Sequence, residues 1–182
     1  MDSFEEDLDN LVSKWAGLKS TEDLIGYLEL MIYRLKEEAT MTENSTPKVY
    51  LAARYSRHPE MRDVRADLEK HGWSVTSRWI NGGHELTKEG STEAHAAERV
   101  RYAQEDTADL LAADIVISFT EEPRKTTTRG GRHVEFGMAL ALGKAVYVVG
   151  HRENVFHTLP QVRFFPAWSL CFAQMRAERC RP

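Results

Sequence analysis

Cysteine is nearly absent: Cys171 and Cys180 are the only two in 182 residues, both near the C-terminus and without CxxC spacing. No disulfide framework and no zinc or dithiol site can be built on that, and the simplest compartment is a reduced one, the cytoplasm. Long apolar runs are lacking as well, since no stretch approaches the roughly 18 apolar residues of a membrane span. The opening Met1-Asp2-Ser3-Phe4-Glu5-Glu6-Asp7 is acidic, without the basic start and apolar run of a secretory signal. There is no excess of positive charge: Lys and Arg number 24 against 28 Asp and Glu, a formal net charge of -4. The molecule as a whole therefore has no field that would draw it to a nucleic-acid polymer or an anionic membrane, and any anion binding must be local. No G-x-G-x-x-G follows the first strand, which argues against ordinary dinucleotide redox binding. Internal repeats and low-complexity tracts are missing too.

What is present is the composition of a soluble globular protein, with 42% hydrophobic, 29% charged and 9% aromatic residues. A chain of 182 residues can bury a sizeable core without disulfides or a structural metal. Leu8, Leu11, Val12 and Trp15, then Leu24, Tyr27, Leu28, Met31, Ile32 and Leu35, recur at helical spacing and predict two helices within residues 4–39. Ser20 or Thr21 is placed to cap the second. The polar stretch Thr40 to Pro47 reads as a linker. The chain thus divides into a helical extension with linker, 1–46, and a principal domain, 47–182.

Beyond the linker, apolar runs alternate with amphipathic stretches, the pattern of a largely parallel sheet covered by helices. Strands are predicted at Lys48–Ala53, Trp73–Ser77, Asp114–Phe119 and Ala145–Gly150, with a short edge strand at Val162–Phe165. Helices are predicted from about Pro59 to Lys70, over 92–112 and over 132–143, with a loop from Asn81 to Gly90. In such a sheet a ligand lies beyond the carboxyl ends of the strands. That directs attention to the loops 53–59, 77–91 and 119–132.

The loop Thr128-Arg129-Gly130-Gly131-Arg132-His133 runs into a helix that carries Glu135, so backbone N–H groups and the helix dipole can meet an anion there. Glu135, placed in the first turn, either serves as a positioned nucleophile or merely complements the helix N-terminus. Asp106 lies about two helical turns before the strand that starts near Asp114, and faces either the crevice or solvent. Asp114 itself is expected to take backbone bonds where that strand begins. Arg54, Arg57, Arg62, Arg129 and Arg132 offer five guanidinium groups suited to forked phosphate binding, or are ordinary surface charges. Tyr55, Trp79 and His133 are candidates for stacking on a base or flanking a sugar, or else core and rim residues. His84-Glu85 and Glu93-x-His95-x-x-Glu98 do not reproduce HExxH spacing, and no metal is expected.

Three pieces in order carry a resemblance: Val49-Tyr50-Leu51-Ala52-Ala53-Arg54; a D-x6-A/N-D-I/V-V segment from Asp106 to Val116; and an E-x-G-x-A motif, Glu135-Phe136-Gly137-Met138-Ala139. From Lys48 to about Gly150 the chain resembles the nucleoside 2-deoxyribosyltransferase superfamily, which includes deoxynucleoside 5'-monophosphate N-glycosidases. The resemblance implies an α/β, Rossmann-like (flavodoxin-like) three-layer sandwich with a mostly parallel sheet. It implies that Glu135 is the nucleophile and Asp106 the assisting acid, and that no cofactor is needed. It further implies a small nucleoside or nucleotide as substrate and a homo-oligomer as the working form. Ala53, Arg54, Tyr55, Arg57, Arg129, Gly130, Gly131, Arg132 and His133 then become candidate substrate contacts, and the arginines favour a 5'-monophosphate over a free nucleoside. Ala52-Ala53-Arg54 departs from the glycine-containing opening of many members, and His133 stands where glycine is frequent. Two other readings fit the same crevice: a catalytically silent nucleotide-sensing module, and a hydrolase of another N-glycoside such as NAD.

Overall fold

The computed structural model describes residues 25, 26, 29, 32, 46–83, 95–123 and 130–179. The chain divides into two units, Met1–Ser45 and Thr46–Pro182. In the first, Ile25, Gly26, Glu29 and Ile32 are helical. The rest of the two predicted N-terminal helices, with the cap at Ser20 or Thr21, lies outside the described residues.

The second unit runs β1 (Lys48–Ala52), α1 (His58–Lys70), β2 (Ser74–Val75), α2 (Ala96–Leu111), β3 (Ile115–Phe119), α3 (Gly131–Ala141), β4 (Ala145–Val149), β5 (Val162–Phe165) and α4 (Trp168–Arg179). The sheet order is β2-β1-β3-β4-β5 and every pairing is parallel, the doubly wound arrangement of the flavodoxin-like class. Chain order reverses between β1 and β3, and the crevice for a ligand opens there, beyond the strands' carboxyl ends. The strands are apolar runs rather than alternating ones because helices cover both faces. Val49, Tyr50, Leu51, Val116, Ile117, Val146 and Val148 are all essentially inaccessible.

Each helix seats a face set by its sequence. α1 buries Met61, Val64 and Leu68, with Pro59 in its first turn, where a missing N–H costs nothing. Asp114 behaves as expected: its Oδ2 accepts from Lys48 N at 2.8 Å, tying the start of β3 to β1.

Two elements depart from expectation. The second strand is only two residues long, because side chains take over the ladder beyond it. Leu51 N donates to Ser77 Oγ at 2.6 Å, and Trp79 Nε1 donates to Leu51 O at 2.9 Å. β1 is thereby satisfied while the chain turns away into a 3-10 turn, Arg78–Asn81. The buried Trp79 is thus a core residue with a committed N–H, not a stacking platform. The chain also closes with a helix beyond those predicted, α4. Its Trp168, Cys171, Phe172 and Met175 recur at helical spacing, and Cys171 and Met175 are buried. Trp168 stacks on Phe172 at 5.1 Å and meets Phe119 at 5.8 Å, which docks the helix on the sheet. No helix among the described residues is long and apolar enough to cross a membrane.

The carboxyl ends of β3 and β4 are locked at one glycine. Gly150 has φ +115°, and a Cβ there would lie 2.8 Å from Thr120 Oγ1 and 3.0 Å from Thr120 O. Thr120 Oγ1 cannot retreat, since it donates to Val149 O at 3.0 Å and accepts from His151 N at 2.6 Å. Gly150→Ala is expected to destabilise the protein by about 2 kcal/mol or more in urea unfolding. Gly137→Ala, within α3 and with open space around it, is expected to be neutral or to stabilise by about 0.5–1 kcal/mol.

Candidate active site

α3 starts one residue earlier than its periodicity predicts, because Gly130 adopts a left-handed conformation (φ 82°) that only glycine takes at little cost and Gly131 already begins the helix. Glu135 is therefore the fifth helical residue, not a first-turn residue, and no acidic group occupies the first turn. The pull of a helix N-terminus on a carboxylate fades beyond that turn, so complementing the dipole does not account for Glu135.

The partner of Glu135 comes from the sheet. Tyr50, fully buried in β1, donates its hydroxyl to Glu135 Oε1 at 2.9 Å. A buried phenol left unpaired would be costly, so each group accounts for the other's placement. Burial, then the negative charges of Glu135 and Asp106, push the Tyr50 phenol well above its usual range, and it stays a donor. Glu135 is half-buried with its carboxyl enclosed by protein, and that desolvation raises its pKa to about 7. The Tyr50 hydrogen bond pulls the value down, nearby Asp106 raises it, and Arg132 lowers it. Asp106 projects from α2, half-buried with its Oδ1 shielded from solvent. Three elements, β1, α2 and α3, thus bring Tyr50, Asp106 and Glu135 to one place.

Three of the candidate substrate contacts, Arg57, Arg132 and His133, are engaged with acids of the protein. Arg132 is buried and forms an ion pair with Glu153, whose Oε1 also accepts from Glu121 N at 2.8 Å. Its expected role at a phosphate gives way to one of anchoring the start of α3 to the loop after β4. A guanidinium this deep is tolerable only when paired. His133 turns toward the same group, with Nε2 3.7 Å from Glu153 Oε2, and so is placed beside an acid rather than as a free stacking ring. Arg57 forks onto Glu60 at 2.7 Å through both Nε and Nη2, and its Nη1 reaches Thr120 O and Glu121. That arginine ties the loop after β1 to the end of β3. Arg62 donates to the carbonyls of Ile80 and Asn81. Ala53 is half-buried at the end of β1, Arg54 is exposed, and half-buried Tyr55 lies 5.3 Å from the His58 ring and 6.4 Å from Trp79. Gly130 and Gly131 stand at the start of α3. Arg129, His84, Glu85 and Glu93 lie outside the described residues. His95 pairs with Glu98 at 2.9 Å, and among the described residues no three His, Cys, Asp or Glu side chains converge as metal ligands.

Sequence reasoning missed Tyr50 as a functional group, although it lies inside the quoted opening strand; its apolar neighbours marked it as core, which it also is. Asp109 was missed as well: buried, it receives Arg78 N and Nε, each at 2.8 Å, and fixes the second loop against α2. Glu153 and the buried His157 carry no local signal, because their partners come from α3 and from the chain's own turn. Burial holds the His157 imidazole below its usual pKa, and its ring meets Phe136 edge-on at 4.6 Å.

No protein-family model and no curated protein matches the chain. Among solved structures it is similar to a 2-deoxyribosyltransferase from the psychrotolerant bacterium Bacillus psychrosaccharolyticus, with TM-score 0.52 and 23% identity, covering 69% of this chain and 90% of that one. It also matches a CMP N-glycosidase of Clostridium botulinum, with TM-score 0.47 and 19% identity, over 71% of this chain and 98% of that one. The first likeness is one of fold, and that fold is the one the three motifs imply; the second superposition is looser and adds nothing to it.

The raised pKa has a consequence for stability. The folded protein holds the Glu135 proton more tightly than the unfolded chain, whose value is near 4.5. The group therefore costs nothing below pH 4.5 and opposes folding increasingly as the pH rises through about 7. Glu135→Gln keeps an acceptor for Tyr50 and removes the charge. At pH 8 it is expected to be more stable than the wild type by on the order of 1–2 kcal/mol, a gain of a few degrees in Tm. That gap should close at pH 4.5, and scanning calorimetry at the two pH values checks it.

Proposed function

We propose that this chain breaks the N-glycosidic bond of a (deoxy)nucleoside or its 5'-monophosphate, with Glu135 as nucleophile and Asp106 as the proton donor to the departing base. The observation that carries this reading is the convergence of two carboxyl groups from different helices over a buried tyrosine, at the end of a parallel sheet where ligands bind. A solvated pair of acids would need no such support.

The chemistry follows from the charge that develops. As the bond from C1' to the base nitrogen breaks, its electron pair leaves with the base and positive charge grows on the sugar. An ionised Glu135 below C1' stabilises that charge and closes a bond to C1', while Asp106 delivers a proton to the base. Water then attacks C1', its proton returns to Asp106, and the bond to Glu135 breaks to give the free sugar. A second base in place of water gives transfer. Tyr50 holds the Glu135 oxygen in one orientation and favours its ionised form, so it acts as a positioning residue. Ala53, Arg54 and Tyr55 after β1, with Arg129, Gly130 and Gly131 before α3, would border the substrate.

The same reading takes the working form to be a homo-oligomer in the cytoplasm. Val134 on α3, and Val155 and Phe156 in the segment between β4 and β5, are 64%, 75% and 60% exposed, apolar surface that a second subunit would cover.

Chromatography of the base released from a panel of nucleosides and 5'-monophosphates, with and without an acceptor base, tests the proposal. Wild-type protein is expected to release base, and Glu135→Gln to lose at least about 1,000-fold in rate. The acid limb of the kcat/KM profile should fall near pH 7, because Glu135 must ionise. Tyr50→Phe should move that limb upward and slow the reaction, because the hydroxyl that favours the ionised Glu135 is gone. Ligand binding by folded wild-type protein without release of base from any substrate would instead favour a sensing module.

A further inference from the structure

We propose that Arg99 is the ligand of the substrate's phosphate, which makes a nucleoside 5'-monophosphate the substrate class. This rests on the glycosidic reading above and adds to it the anion pole of the site.

The first argument is subtraction. Of the guanidinium groups that sequence spacing assigned to a phosphate, Arg57 is held by Glu60 and Glu121, Arg62 by two carbonyls and Arg132 by Glu153. Arg54 is exposed and no hydrogen bond or ion pair among the described residues holds its side chain in place, and Arg129 lies outside the described residues. A phosphate monoester needs a positioned donor, and those three arginines have already spent their forks.

The second argument is positive. Among the described residues, Arg99 Nε is the buried side-chain nitrogen with no hydrogen-bond partner. Native structures seldom leave such a group without a partner, since a donor removed from water and not repaid costs free energy, and a ligand is one way to repay it. Arg99 also stands in the right place. It lies two helical turns N-terminal to Asp106 on α2, so the two side chains share one face of the helix. That face is the inward one: Arg99, Tyr102 and Asp106 are half-buried and Asp109 and Leu110 buried, whereas Glu98, Val100 and Arg101 are exposed. α2 runs antiparallel to the strand it precedes, so its N-terminal half rises toward the carboxyl ends of the sheet. Arg99 therefore sits roughly 10 Å above Asp106 along the helix axis, a separation of the order of a sugar with its phosphate. With Asp106 beside the base and Glu135 below C1', the guanidinium faces where a 5'-phosphate would project. Arginine suits the task because its charge is permanent and its fork matches two phosphate oxygens.

Equilibrium binding by calorimetry, which needs no turnover, tests the assignment. The probes are ribonucleoside and 2'-deoxynucleoside 5'-monophosphates and the parent nucleosides, and the proteins are wild type, Arg99→Gln and Arg99→Lys, each checked for fold by circular dichroism. We expect Arg99→Gln to weaken monophosphate binding about 10- to 100-fold, the range for a lost charge-assisted contact. The loss for the parent nucleoside should be at least tenfold smaller, and Arg99→Lys should fall between. Equal losses for both ligands, no loss for either, or a wild type that binds nucleoside as tightly as monophosphate would overturn it. Glycosidic turnover that persists alongside any of those results removes Arg99 alone. Arg99-dependent monophosphate binding without release of base supports the phosphate assignment and removes the catalytic reading instead.

Discussion

A carboxyl group enclosed by protein and held by a buried phenol sets the terms for the rest of this structure. Glu135 is costly where it stands: its desolvation opposes ionisation, and Asp106 adds a second negative charge nearby. The fold tolerates it because Tyr50, which could not be buried in β1 without an acceptor, finds one there. The sheet therefore supplies more than a floor. It supplies the donor that orients the helix-borne acid, and it does so from a strand whose other residues beyond Lys48 are buried core.

Around that pair the loops are held by charge rather than by apolar packing. Arg57 joins the end of β1 to Thr120 and Glu121, Glu121 N donates to Glu153, and Glu153 pairs with Arg132 at the start of α3. The chain of contacts links the carboxyl ends of β1, β3 and β4 to the helix that carries Glu135. Ion pairs of this kind contribute little net stability once desolvation is counted, but breaking one partner out of a buried pair is expensive. Their effect is to make one arrangement of three loops much better than its neighbours, which is what a positioned nucleophile requires. The same contacts engage Arg57 and Arg132, two of the arginines in those loops, with acids of the protein.

The parallel sheet, its strand positions and its helices were legible along the chain, because apolar runs and 3.6-residue periods report local burial directly. Val49 to Ala52, Ile115 to Phe119 and Ala145 to Val149 are core because they are covered on both faces, and a run of valine, isoleucine and alanine says so. Motif spacing singled out Glu135 and Asp106, which the fold brings near one another, and Asp114 was legible through its place at the start of a strand. α4 was legible in principle, in the helical spacing of Trp168, Cys171, Phe172 and Met175, but it lies beyond the last strand, where the alternation of strand and helix ends.

Composition and order along the chain by themselves determined the α/β class and the parallel sheet, since each depends on which residues lie near one another in sequence. Only the tertiary structure decided how Glu135 and Asp106 are supported and which charges remain for a ligand. Tyr50 and Glu135 are 85 residues apart, Arg57 and Glu121 are 64, and Arg132 and Glu153 are 21. No local pattern predicts which arginine an acid will claim, because the choice depends on loop geometry and on how deeply each charge is buried. The same physics leaves Arg99 Nε buried with no hydrogen-bond partner among the described residues, a feature that its place in the sequence cannot reveal.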